Sequence, residues 1–215
     1  MKVEPFEGPD YRKVRPPDLT IFILGESSID PCTYDSESKE NVLSPSWNTS
    51  IILRLSESDS AIEPDLTINS AVELFFDKSL NFPVDYWTFW RASAFANFVR
   101  HNLGRKKTRP TSDQWKAGKE PFEEYLIELQ PQFVLVLGKG VWDNLPTRYR
   151  KNLPPFTLDG YPKPQPCFLY PNDNGYAFVF AIAHPSYWHW KGRTVTYYRP
   201  WVTKAIEAAK TFHYS

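Results

Sequence analysis

Three short stretches of the chain are apolar at nearly every position: Leu19–Leu24, Phe133–Leu137 and Ala177–Ala183. Continuous runs this short predict strands buried on both faces, as in a parallel sheet. A fourth run, Trp87–Phe95, is interrupted by Arg91 and small residues and predicts the second strand in chain order. Helical patterns alternate with these runs. Trp47–Leu55 and Ile68–Lys78 predict two helices between the first and second strands. After Pro110, Thr111 is a candidate N-cap with Gln114 three residues on, the pairing of a capping box. Phe122, Tyr125, Leu126 and Leu129 then repeat at three-and-four spacing until Gln130-Pro131 stops the helix. A last helix from about Pro200 to Phe212 places Trp201, Ala205, Ile206 and Ala209 on one side. Lys151–Asn174, rich in Pro, Gly and Asn, predicts a long loop or hairpin.

Strands alternating with helices imply a three-layer α/β/α sandwich around a mostly parallel four-stranded sheet. A chain of 215 residues suits one domain, with residues 1–18 as an N-terminal extension. The 25 basic and 25 acidic residues cancel, which argues against a chain held on DNA or a membrane by bulk charge but leaves a local basic strip open. No apolar run approaches the roughly 18 residues that cross a bilayer. Met1–Pro17 is charged and holds four prolines, unlike a signal or transit peptide, so the expected location is cytoplasmic. The two cysteines, Cys32 and Cys167, are isolated, so no metal site and no cofactor is expected.

In open parallel sheets, ligands sit beyond the carboxyl ends of the strands. Here those ends lead into Gly25-Glu26-Ser27-Ser28, into Asn97, into Gly138-Lys139-Gly140, and into His184-Pro185-Ser186. Each residue also has a plainer reading. Glu26 could be an ion-paired strand-end residue, Asn97 could cap a helix beginning at Phe98, and His184 could belong to a turn.

Five segments in order resemble the uracil-DNA glycosylase superfamily: Leu24-Gly25-Glu26, Ala96-Asn97-Phe98-Val99, Arg109-Pro110-Thr111 with the helix and strand that follow, Ala183-His184-Pro185-Ser186 with Arg193, and the C-terminal helix. The resemblance is to the superfamily's iron–sulfur branch, yet the cluster cysteines are missing and Lys119 stands where one is carried. It implies a monofunctional DNA glycosylase, active as a monomer on DNA. Glu26 and His184 would be the catalytic pair: a carboxylate near the sugar, where positive charge builds, and a hydrogen-bond donor at the departing base. Asn97, Ser27 and Ser28 would contact the base. Ser27-Ser28 replaces the turn of uracil-specific members, so the base would be uracil or a damaged or hypermodified pyrimidine, and a role in phage defence would fit. The base must leave the stack, and Tyr187 or Trp188 would fill the gap. Trp188 and Trp190 could instead pack against Tyr197 and Tyr198. Ser186 and Arg193 would hold phosphates.

Charge read by position adds to this. Arg100, Arg105, Lys106, Lys107 and Arg109 follow Asn97, and Lys191, Arg193 and Arg199 follow the His-Pro-Ser segment. Arg105 and Lys106 are the expected DNA contacts of the first group. Two alternatives compete: a non-catalytic DNA- or protein-binding relative of the fold, and a Gly-Asp-Ser-type serine hydrolase with Ser27 as nucleophile and His184 as base. The latter pattern wants an Asp where Ala181 stands.

Overall fold

The structure, a computed structural model, describes residues 4–15, 18–28, 52, 66–76, 85–103, 109–161, 163–188, 192 and 194–214. Its strands are β1 (Phe6–Glu7), β2 (Ile21–Ser28), β3 (Ser93–Asn102), β4 (Phe133–Leu137), β5 (Lys151–Asn152), β6 (Cys167–Asn172) and β7 (Gly175–Ile182). They form one sheet in the order β1-β3-β2-β4-β7-β6-β5. The inner four, β3, β2, β4 and β7, are parallel. The outer three are antiparallel to their neighbours.

The described helices are α1 (Leu66–Val72), which continues into a 3-10 turn over Glu73–Phe75, α2 (Tyr86–Arg91), α3 (Ser112–Ala117), α4 (Lys119–Leu129), α5 (Lys139–Asn144) and α6 (Val195–Tyr214). They cover both faces of the sheet. On one face Ile21, Ile23, Leu135 and Phe180 meet Phe75, Phe89, Trp201 and Ala205. On the other Phe22, Leu24, Val136 and Val179 meet Phe122, Tyr125, Leu126 and Val141. With apolar partners on both sides, all five residues of β4 are buried, which is why that run carries no polar alternation.

The sheet has seven strands rather than four, and the differences have local causes. Cys167–Asn172, within the stretch read as a long loop or hairpin, is a full strand joined to β7 by a tight hairpin at Asp173-Asn174. The run Trp87–Phe95 divides. Its first part is α2, because the side chain of Asp85 accepts a hydrogen bond from the Thr88 amide at 2.7 Å and caps a helix whose Phe89 and Trp90 are buried. Only from Ser93 does the chain extend, and it stays extended to Asn102. Residues read as an N-terminal extension supply β1, with Phe6 and Tyr11 in the core. The capping box forms as expected: the Gln114 amide donates to Thr111 Oγ1 at 3.3 Å and the Thr111 amide to Gln114 Oε1 at 2.9 Å. The helix it opens breaks at Gly118 into α3 and α4. The last helix begins at Val195, five residues before Pro200, so the proline lies inside it and leaves one carbonyl of the first turn without its usual donor. Of Trp47–Leu55 only Ile52 is described, and it is buried.

Candidate active site

The carboxyl ends of the four parallel strands carry the residues the sequence singled out. Asn97 does not follow its strand. It lies within β3, paired across to Gly25 of β2, because β3 overruns its neighbours. A helix cap at Phe98 is thereby withdrawn. Asn97 is one of two buried polar side chains among the described residues, the other being Ser93. A Cβ on Gly25 would stand 2.6 Å from Asn97 Oδ1, so the amide leans over the bare glycine backbone.

Glu26 is the next residue along β2, and its side chain is 15% exposed. Arg109 donates from Nη1 to its Oε1 at 3.1 Å. A Cβ on Gly140, in the first turn of α5, would lie 2.9 Å from Glu26 Oε2 and 3.1 Å from the Trp115 ring. Carboxylate, indole and helix backbone therefore meet at one point. Because Arg109 is largely exposed, its ion pair contributes only about 0–1 kcal/mol to stability.

His184 follows β7 and opens a 3-10 turn over Pro185–Tyr187. Its Nδ1 accepts from the Ser186 backbone amide at 3.4 Å and lies 2.8 Å from Ser186 Oγ. Nδ1 is thus the acceptor, and in the neutral ring the proton sits on Nε2. Burial, with the Arg109 charge adding to it, pushes the His184 pKa down to about 4, so the ring is neutral near pH 7. Gly138, which closes β4, has φ of 108°, a conformation that favours glycine, and a Cβ there would stand 3.3 Å from His184 Cβ.

Asn97 on β3 and His184 after β7 are three strands apart in the sheet, with Glu26 on β2 between them. Asn97 shares a face of the sheet with Gly25, whereas Glu26, the next residue, leaves β2 toward the other face beside Trp115.

The turn after His184 decides between the two aromatic candidates. Trp188 is 5% exposed, donates from Nε1 to the Ala183 carbonyl at 2.7 Å, and packs on Tyr198 with centroids 4.8 Å apart. It belongs to the core and is withdrawn as a DNA contact. Tyr187 is 42% exposed, its ring 6.4 Å from that of His184. Arg109 hydrogen-bonds the Tyr187 hydroxyl and sets its guanidinium carbon 5.5 Å from the ring centroid. Arg109 and Trp115 were missed as site residues. The first stood in a basic run and the second in a capped helix, and neither pattern tells which strand end they reach.

Ser27 is half-buried opposite Val99. Ser28 ends β2 after a bulge, and its side chain is outside the described residues, as are Arg105, Lys106 and Arg193. The hydroxyl beside His184 is that of Ser186, which therefore orients the ring in addition to any contact with phosphate. Two basic residues near the site are used internally: Arg100 bonds the Tyr125 hydroxyl at 3.0 Å and Glu124 at 3.3 Å, and Arg199 bonds the Glu73 carbonyl at 2.9 Å. The residues do not fit an iron–sulfur cluster. Lys119 opens α4, and Cys167, the only described cysteine, is buried in β6 against the Pro154 carbonyl, its thiol pushed up to about 11 by burial. Among the described residues no group of three His, Cys, Asp or Glu could hold a metal, and no helix is long and apolar enough to cross a membrane. Two hollows are lined by none of these strand-end residues: an open groove of 550 Å³ along α6 by Arg199 and Lys204, and one of 260 Å³ at the amino ends of β2 and β4, by Thr20, Gln132 and His213. Comparison with models of known protein families gives no match, and neither does comparison with curated proteins.

Proposed function

We propose that the protein is a monofunctional DNA glycosylase that extrudes a pyrimidine, uracil or a damaged or hypermodified relative, and hydrolyses its N-glycosidic bond. The observation that carries this reading is the placement of Glu26, Asn97 and a neutral His184 toward the carboxyl side of three of the four parallel strands, with an exposed tyrosine one turn beyond the histidine.

Breaking the bond leaves positive charge on the sugar and negative charge on the base. Glu26 would stabilise the sugar cation and hold the water whose oxygen bonds to the anomeric carbon; the departing base takes up a proton. His184 would donate its Nε2 proton in a hydrogen bond to the developing oxyanion. A neutral imidazole whose Nδ1 accepts from Ser186 keeps its one proton on Nε2, so it still has the donor this task needs. Removing one such donor typically costs about 10²–10³ in rate. Asn97 carries both a donor and an acceptor and would read the base edge. Tyr187 would occupy the vacated stack. The same reading takes the protein to act as a single catalytic chain on DNA, in repair or against phage genomes with modified bases.

The test is incubation with duplexes containing uracil, mismatched thymine or modified cytosine, followed by alkali. Expected are strand breaks at one base type, reduced at least about a hundredfold by Glu26→Ala and by His184→Ala. Tight binding of abasic DNA with no base released from any duplex would replace this reading by that of a non-catalytic relative. Full activity of both variants would leave a glycosylase with a different site.

A further inference from the structure

We propose that Arg109 is a positioning residue that ties the insertion of Tyr187 into DNA to the carboxylate of Glu26. The inference rests on the glycosylase reading and adds to it a role for a residue that the sequence placed in a resembling segment and a basic run but not in the site. One guanidinium joins three separate pieces of chain: the end of β2 through Glu26, the entry to α3 through its own backbone, and the turn after β7 through Tyr187. Its planar fork presents donors on two edges, so it can hold a carboxylate with one and a phenol with the other, which an ammonium on a flexible stem does less well. The ring also packs against the guanidinium.

The anchoring runs both ways. Pro110 is buried and Thr111 caps α3, so the Arg109 backbone is fixed from its carboxyl side. Tyr187, by contrast, is exposed, and among the described residues Arg109 is the only partner its hydroxyl has. Without Arg109 the ring would lose its orientation while Glu26 kept its place on β2. The loss should therefore fall on extruding the base rather than on cleaving the bond.

The test uses the full chain and four variants: Arg109→Ala, Arg109→Lys, Tyr187→Ala and the double alanine. Stack opening is read without catalysis, from the fluorescence of 2-aminopurine beside a tetrahydrofuran abasic site. Cleavage is read as single-turnover excision from a duplex and from the same strand unpaired. Arg109→Ala is expected to lower both the fluorescence rise and the duplex rate about tenfold, within the coupling range of side chains in contact. It should spare the unpaired strand, and Arg109→Lys should recover part of the duplex rate. The double variant should be no worse than Tyr187→Ala alone. Equal losses on paired and unpaired DNA, or losses that multiply in the double variant, overturn the proposal. Should the protein open abasic DNA but release no base, the glycosylase reading fails and the fluorescence still decides the role of Arg109.

Discussion

Replacing Gly25 by alanine adds a single methyl group at the most crowded point of the site. The new carbon would lie 2.6 Å from Asn97 Oδ1 and 3.4 Å from the Phe95 ring. The ring contact is ordinary; the amide contact falls about 0.8 Å short of it, so Asn97 has to move. Two effects oppose each other in stability. Loss of glycine's freedom in the unfolded chain favours the variant by about 0.4–1 kcal/mol. Overpacking a buried site costs about 1–3 kcal/mol. The cost is the larger, and a net loss of about 1–2 kcal/mol lowers Tm by about 2–8 °C in a chain of this size. If Asn97 reads the base as proposed, the effect on activity should be greater, since displacing a substrate-contacting group by about 1 Å can cost about 10²-fold. The assay pairs thermal unfolding with excision from the preferred duplex, for Gly25→Ala, Asn97→Ala and both together. If Gly25 acts through Asn97, the double variant loses no more activity than Asn97→Ala. A Gly25→Ala protein with unchanged Tm and activity within twofold of the parent would show that the amide does not occupy this position, and the argument from close approach would fall with it.

His184 and the aromatic turn give two further tests. Burial and Arg109 hold the folded His184 pKa near 4, below its ordinary 6.5, so as pH falls the unfolded chain takes up the proton first. Stability from this group is therefore complete above pH 6.5 and declines toward pH 4 by at most about 3 kcal/mol. By NMR its ring should not titrate between pH 5 and 8, and an inflection near 6.5 would refute the buried neutral ring. Trp188→Ala should lose about 3–5 kcal/mol in denaturant unfolding, the usual cost of emptying a buried tryptophan site, whereas Tyr187→Ala should unfold within about 0.5 kcal/mol of the parent. Equal losses for the two would contradict their opposite burial.

How far the sequence reached follows the physics of each element. Three continuous apolar runs became β2, β4 and β7, because strands between two helical layers need no polar face. The capping box was legible because both its bonds lie within four residues. The Trp87 run misled because aromatic residues serve helix and strand alike; the informative residue was Asp85, a cap just outside the run. β6 carried its own signal, the apolar Cys167–Tyr170 followed by Asn174-Gly175, which the surrounding prolines obscured. The placement of Glu26 and His184 at the carboxyl side of their strands was legible because each directly ends or follows an apolar run. Arg109 was not. Its contacts reach 83 residues back and 78 forward, and no local pattern encodes such a reach.

Both rims of the sheet are very short. β1 and β5 are two residues each, and they border a β3 of ten residues and a β6 of six. A strand as long as β3, left open, is a template on which a second chain could assemble. Phe6 and Glu7 pair with it at Phe95 and Ala94, and the Gly8 and Asp10 amides bond to the Ser93 and Arg91 carbonyls just below. The opening residues thus work as a built-in guard against self-association, on the strand that also carries Asn97. Trimming them as if they were a dispensable tail would leave β3 open along its outer edge and the protein prone to precipitate.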